Sequence, residues 1–276
     1  MLNSENVTLL HIGAPKTASS AIQKYYFSYQ EYAKNLGKPF NNTSRENRYV
    51  YDIDNKIGNY IISDEDLLLP LDYSETIKEV NGRDAISDLR FSKPPEVILL
   101  VVRDQASLIN SWFHYHFKRG RVESLSFSEF WNTECSDTLK NYILNCLDYK
   151  KVLDNISIKY PNSNIKVFTF EDVKEDLSKV IDYIEKSFGV STELGHTILR
   201  ENDRLNEVNH LGMPLIFKKM IGLKNYNRVR RHFGKPIVVE GMKEKEREEI
   251  FHIFKKSNQE IFDIYKLNKK HAGRYY

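Results

Sequence analysis

Leu9-Leu10-His11-Ile12-Gly13-Ala14-Pro15-Lys16-Thr17-Ala18-Ser19-Ser20-Ala21-Ile22 opens on a short apolar run, passes through a turn, and goes on with a helical spacing of Ala18, Ala21 and Ile22. The run 7–12 reads as a buried strand and 17–33 as a helix that also carries Tyr25 on its apolar side. Lys16 and the hydroxyls of Thr17, Ser19 and Ser20 therefore fall where a strand turns into a helix. The first amides of a helix and its macrodipole favour a negative group there, and Lys16 adds a full charge. The segment is an oxyanion cradle, or else a plain strand-to-helix turn in which Thr17 or Ser19 caps the helix. The spacing of an ATP- or GTP-binding loop, two glycines with four residues between them and the second followed by Lys-Ser/Thr, is absent, because Lys16 comes three residues after the single Gly13.

Outward from this stretch the pattern repeats. Residues 96–102 and 165–170 read as further buried parallel strands, and 59–63 as a weaker one. Helical periods cover 74–89, 105–117, 139–156 and 176–188, and 243–267 reads as one amphipathic helix or a broken pair. Strands alternating with helices predict a doubly wound α/β sheet. No repeat or low-complexity linker interrupts the chain, so a single domain is expected, with an α/β core over 1–190 and a mainly helical annex over 191–276. The polar stretch 38–48 is expected to be a loop at the ligand-binding edge of the sheet.

A second candidate site follows the strand 96–102. Arg103 is delivered to its carboxyl end, the edge at which open α/β sheets bind ligands, and Ser111 comes back on the next helix. The two are placed to grip one anion, although Arg103-Asp104 is also readable as a structural ion pair.

Together these residues resemble the sulfotransferases that use 3′-phosphoadenosine 5′-phosphosulfate, in particular bacterial members that modify carbohydrates. The family carries a strand and then a Gly-x-x-Lys-Thr/Ser-Gly-Ser/Thr-Ser/Thr loop for the donor's 5′-phosphosulfate. Gly13, Ala14, Pro15, Lys16, Thr17, Ala18, Ser19 and Ser20 match it, with Ala18 where glycine is usual. Arg103 and Ser111 reproduce the family's arginine and serine for the donor's 3′-phosphate, and Gln105 stands where proline is frequent. The stretch Val167-Phe168-Thr169-Phe170-Glu171-Asp172-Val173 is similar to the strand and Glu-Asp-Leu turn that follow in these proteins, and the similarity thins beyond about residue 190. The resemblance implies an α/β, P-loop-like open parallel sheet flanked by helices, with a helical C-terminal annex. It also implies a late basic loop over the 3′-phosphate, for which Arg228, Arg230, Arg231 and Lys235 are the nearest counterparts. A solvated basic surface is the alternative there.

The implied reaction moves a sulfuryl group from this donor to a hydroxyl of a carbohydrate or glycolipid. Lys16 then faces the leaving phosphate oxygen. The base that takes the acceptor's proton is expected at Glu65, after the strand 59–63, with Asp64, Asp66 and His114 as rivals. No metal site is expected: His114 and His116 would face different ways on a helix. A nucleoside or sugar kinase, or a catalytically silent nucleotide- or glycan-binding protein, would share the cradle.

Composition bounds these readings. The 276 residues are 41% hydrophobic and 29% charged, enough apolar content for a core. Lys and Arg exceed Asp and Glu by 41 to 38, so general polyanion binding, nucleic acid included, is not expected. Seventeen tyrosines and 15 phenylalanines suit core packing and also suit a sugar-stacking surface. Cys135 and Cys146 are too few for a disulfide framework and lie in one stretch that reads as helix. The N-terminal residues lack the charged and apolar regions of a secretory signal, and the longest apolar run, 97–102, is far short of the ~20 residues that span a bilayer. A cytoplasmic protein without a membrane span is expected, with peripheral association left open.

Overall fold

The computed structural model describes residues 7–13, 17, 22, 34–35, 50–51, 58–64, 67–69, 90–91, 93–191, 207–210 and 235–276. Its centre is a five-stranded parallel sheet in the order β2-β4-β1-β6-β7. These strands are β1 (Thr8–Gly13), β2 (Lys34–Asn35), β4 (Tyr60–Asp64), β6 (Val97–Val102) and β7 (Asn164–Thr169). Two-residue strands β3 (Val50–Tyr51) and β5 (Arg90–Phe91) pair apart from it in parallel, and β8 (Glu207–His210) and β9 (Lys235–Val238) form an antiparallel ribbon. The expected open parallel α/β sheet is therefore present. The ribbon and the two-residue strands are additions, because so few residues carry no readable period.

Every residue of β1 and β6 is buried. Their period of two accordingly sorts side chains between two cores, not between core and water. Leu10, Ile12, Ile62, Ile98, Leu100 and Val102 share one core, and Leu9, Ile61, Val97, Leu99 and Val101 share the other. Truncating one of them, as in Leu99→Ala, costs about 2–5 kcal/mol.

Helices cover both faces. The first core is closed by α1 (Gln105–Lys118), α2 (Asp137–Cys146), α3 (Tyr149–Lys159) and α6 (Glu244–Ile264), which supply Trp112, Phe113, Ile143, Leu153, Phe254 and Phe262. The second is closed by Ile22 and by α4 (Phe170–Glu175) and α5 (Ser178–Phe188), with Val173, Val180, Ile184 and Phe188. Among the described residues no helix is long and apolar enough to cross a membrane.

Several expectations need correction. The helix read over 139–156 is two helices. Its apolar phase runs unbroken through Ile143, Cys146, Tyr149 and Val152, but the Asp148 carboxylate accepts a hydrogen bond from the Lys151 amide at 3.3 Å and caps a new helix. Cys135 lies in a bend after the π-helical segment Phe130–Glu134, outside α2, and neither cysteine is in a disulfide. The strand read over 165–170 stops at Thr169, whose hydroxyl accepts from the Asp172 amide at 3.1 Å and so starts α4. The segment 243–267 holds one unbroken helix, α6, followed by the 3-10 turn Lys269–Arg274. The helix read over 74–89 and the loop over 38–48 lie outside the described residues, as does the helix over 17–33 apart from Thr17 and the helical Ile22.

Candidate functional site

The chain leaves β1 toward β4 on one side, then returns past β1 to β6 and β7 on the other. The connections thus diverge between β1 and β6, and the carboxyl ends of these two strands flank the switch point at which such sheets bind ligands. In the register of the pair, Gly13 lies opposite Val101. Gly13 is the first residue of the expected cradle, and Arg103 follows Val101 by two positions. Both segments therefore leave the sheet from neighbouring strands at the same edge, with strand axes roughly 4.8 Å apart. Thr17 is fully buried. Ala14, Pro15, Lys16, Ala18, Ser19 and Ser20 lie outside the described residues.

Arg103 is only 8% exposed, and its guanidinium carbon lies 4.5 Å from the centre of the Phe170 ring. A desolvated cation over an aromatic face gains from the ring quadrupole. The backbone of Arg103 is held by Tyr149, whose hydroxyl accepts from the Arg103 N–H at 3.2 Å and donates to the Arg103 carbonyl at 2.8 Å. Complete burial pushes the Tyr149 phenol well above its usual range, so it stays a donor. A second buried phenol, Tyr275, donates to the Glu171 carboxylate at 2.7 Å and approaches the Val102 carbonyl at 3.3 Å. Burial, and then the Glu171 charge beside it, hold that phenol protonated as well.

The Arg103-Asp104 ion-pair alternative has a structural answer on the Asp104 side. Asp104 is the N-cap of α1: its carboxylate accepts from the amides of Ala106 at 3.1 Å and Ser107 at 3.3 Å. The same carboxylate meets the Arg247 guanidinium of α6 at 3.1 Å, and Arg247 also donates to the Ser107 hydroxyl at 3.3 Å. Ser111, half-buried, stands one turn beyond Ser107 on the polar stripe of α1. Sequence reasoning passed over Arg247, Tyr149 and Tyr275. Only a Tyr in the middle of one helical period and an Arg near the start of another were visible, and neither spacing points to Arg103.

Asp64 ends β4 opposite Ile12, so its backbone reaches the same sheet edge. Glu65 and Asp66 lie outside the described residues, as do Arg228, Arg230 and Arg231. Lys235 opens β9 and pairs with His210 in the two-stranded ribbon, which is separate from the five-stranded sheet whose β6 precedes Arg103. His114 faces the turn at Gly241, where an added Cβ would stand 3.3 Å from its Nε2, while His116 on the other side of α1 is buried against Trp112. The two histidines do point different ways.

No family model matches the chain, and no curated protein sequence matches it. Among solved structures, it is similar to the crystal structure of a sulfotransferase from Alicyclobacillus acidocaldarius, with a TM-score of 0.54 and 14% identity over 97% of this chain and 98% of that chain. At that identity the likeness is one of fold. The P-loop-like α/β architecture, an open parallel sheet with helices on both faces, is the architecture this chain shares with that sulfotransferase.

Proposed function

We propose that the chain is a cytoplasmic sulfotransferase that moves a sulfuryl group from 3′-phosphoadenosine 5′-phosphosulfate to a hydroxyl of a carbohydrate or glycolipid. The observation that supports this reading is the register of Gly13 against Val101, which sets the strand end that precedes Lys16 beside the strand end that precedes Arg103. A fold in common with a sulfotransferase supports it.

In this reading the residues divide the work as follows. Lys16 balances the charge that builds on the leaving phosphate oxygen, and the amides and hydroxyls from Thr17 to Ser20 hold the 5′ end of the donor. Arg103 and Ser111 hold the 3′-phosphate, with Arg230 and Arg231 closing over it. Glu65 takes the acceptor's hydroxyl proton as the new oxygen–sulfur bond forms and the sulfur–oxygen bond to phosphate breaks. Adenosine 3′,5′-bisphosphate leaves.

The test is thermal stabilisation by adenosine 3′,5′-bisphosphate against ATP, followed by transfer of labelled sulfate from the donor to a glycan and glycolipid panel. A ligand at about 100 times its dissociation constant adds about 2.7 kcal/mol. Stabilisation by the bisphosphate alone, with labelled acceptor recovered, is expected. Stabilisation by ATP alone would end the reading in favour of a kinase.

A further inference from the structure

The peptide groups of Arg103 belong to neither neighbouring element. Strand pairing of β6 with β7 ends at Val102 and Thr169, and the first helical bond of α1 runs from the Leu108 amide to the Asp104 carbonyl. The N–H and C=O of Arg103 therefore fall in the gap between sheet and helix, in a buried joint where an unpaired backbone group costs about 1–3 kcal/mol. One side-chain atom fills both needs, because the Tyr149 hydroxyl takes the N–H and gives its proton to the C=O. Tyr149 is the first residue of α3, and its own direction is set by the Asp148 cap. Asp148 also receives the Ser257 hydroxyl of α6 at 2.6 Å.

We propose that Tyr149 is a positioning residue for Arg103: its hydroxyl fixes the peptide planes on both sides of the arginine and so aims the guanidinium that lies on the Phe170 ring. The role rests on the reading of Arg103 as an anion grip. With both peptide planes pinned and Phe170 supporting the guanidinium, little of the arginine's rotational freedom remains to be lost on binding. Tyr149→Phe removes one oxygen and keeps the ring packed. It frees the joint to tilt and lets the guanidinium leave its line.

A double-variant cycle on the affinity for adenosine 3′,5′-bisphosphate tests this, with each protein also melted without ligand. Tyr149→Phe is expected to weaken binding about tenfold in the wild type and less than about twofold in Arg103→Ala, because the lost hydroxyl acts through the arginine. The fall in melting temperature should be alike in both backgrounds. Ile156→Val, a small core loss in the same helix, should lower the melting temperature and leave affinity unchanged. If the losses from Tyr149→Phe and Arg103→Ala multiply, or if Tyr149→Phe binds as the wild type does, the positioning role is overturned while the donor reading stands. If the wild type itself ignores the bisphosphate, the donor reading falls and takes the positioning role with it.

Discussion

The side-chain amides of Gln105 and Asn258 exchange two hydrogen bonds, of 2.8 and 3.0 Å, across 153 positions of the chain. Gln105 is the first residue of α1, two positions after Arg103, and Asn258 lies in α6. Gln105 also donates to the Leu147 carbonyl at 3.2 Å, and Asn258 to the Tyr275 carbonyl at 3.0 Å. α6 and the C-cap of α2 thus meet at the start of α1, and the amide pair ties the C-terminal segment to it. Proline at position 105 would suit the first turn of a helix, but it would forfeit these bonds.

Breaking one side of that pair should be costly, because the partner amide is buried and left with unmet donors or acceptors. Asn258→Leu or Gln105→Leu alone is expected to cost about 2–3 kcal/mol. At roughly 2–4 °C per kcal/mol this is a fall in Tm of roughly 5–10 °C. The double Leu variant should recover part of the loss, since neither amide then faces an apolar partner. Single variants that melt with the wild type would show that the pair contributes nothing.

Lys16→Ala removes the cation assigned to the leaving oxygen. Turnover should fall by on the order of 10²–10³, the usual loss for one oxyanion donor. Stability without ligand should hardly change, and single-turnover transfer of labelled sulfate is the measurement. Transfer at the wild-type rate would strip Lys16 of its role.

The parts of this architecture that were legible share one property: their signal is local. β6 announces itself as six consecutive aliphatic residues after Pro94-Pro95, and α1 as an apolar stripe that follows a capping aspartate. The Gly13–Ser20 and Arg103–Ser111 spacings are local too, so the two halves of the candidate site were visible, while their adjacency was expected only through the family resemblance. That adjacency comes from the pairing of Gly13 with Val101, a choice of strand order no short pattern encodes. The break at Leu147-Asp148 stayed hidden because Tyr149 and Val152 continue the apolar phase of Ile143 and Cys146 on a new helix. Tyr149, Tyr275 and Arg247 reach the start of α1 from 46, 173 and 143 positions away, and at that range a tyrosine or arginine carries no mark of its partner.

Glu65→Gln separates the assigned base from donor binding. Glutamine keeps the shape of the side chain but takes up no proton at neutral pH, so affinity for the bisphosphate should stay within about twofold while transfer slows by about 10²–10⁴. The rate in the wild type should rise with pH as the carboxylate forms, and that acid limb should vanish in the variant. A transfer rate equal to that of the wild type would move the base to Asp64, Asp66 or His114.

His11 gives the fold an acid limit that is independent of catalysis. It sits fully buried in β1, opposite Ser63 of β4, with Nδ1 2.7 Å from the Ser63 hydroxyl oxygen. Burial lowers its pKa from 6.5 to about 4. Between those values the unfolded chain binds a proton that the native protein refuses, so stability rises with pH through this window and falls as pH drops through it. A shift of this size corresponds to about 3 kcal/mol, fully lost below pH 4. His11→Asn keeps a polar group toward Ser63 and has no proton to take up. Urea unfolding at pH 7 and pH 4.5 should therefore show the variant gaining about 2–3 kcal/mol on the wild type at the lower pH, whatever its stability at the higher one. Parallel losses in the two proteins would mean that His11 is charged in the native sheet, and the neutral pairing with Ser63 would have to be abandoned.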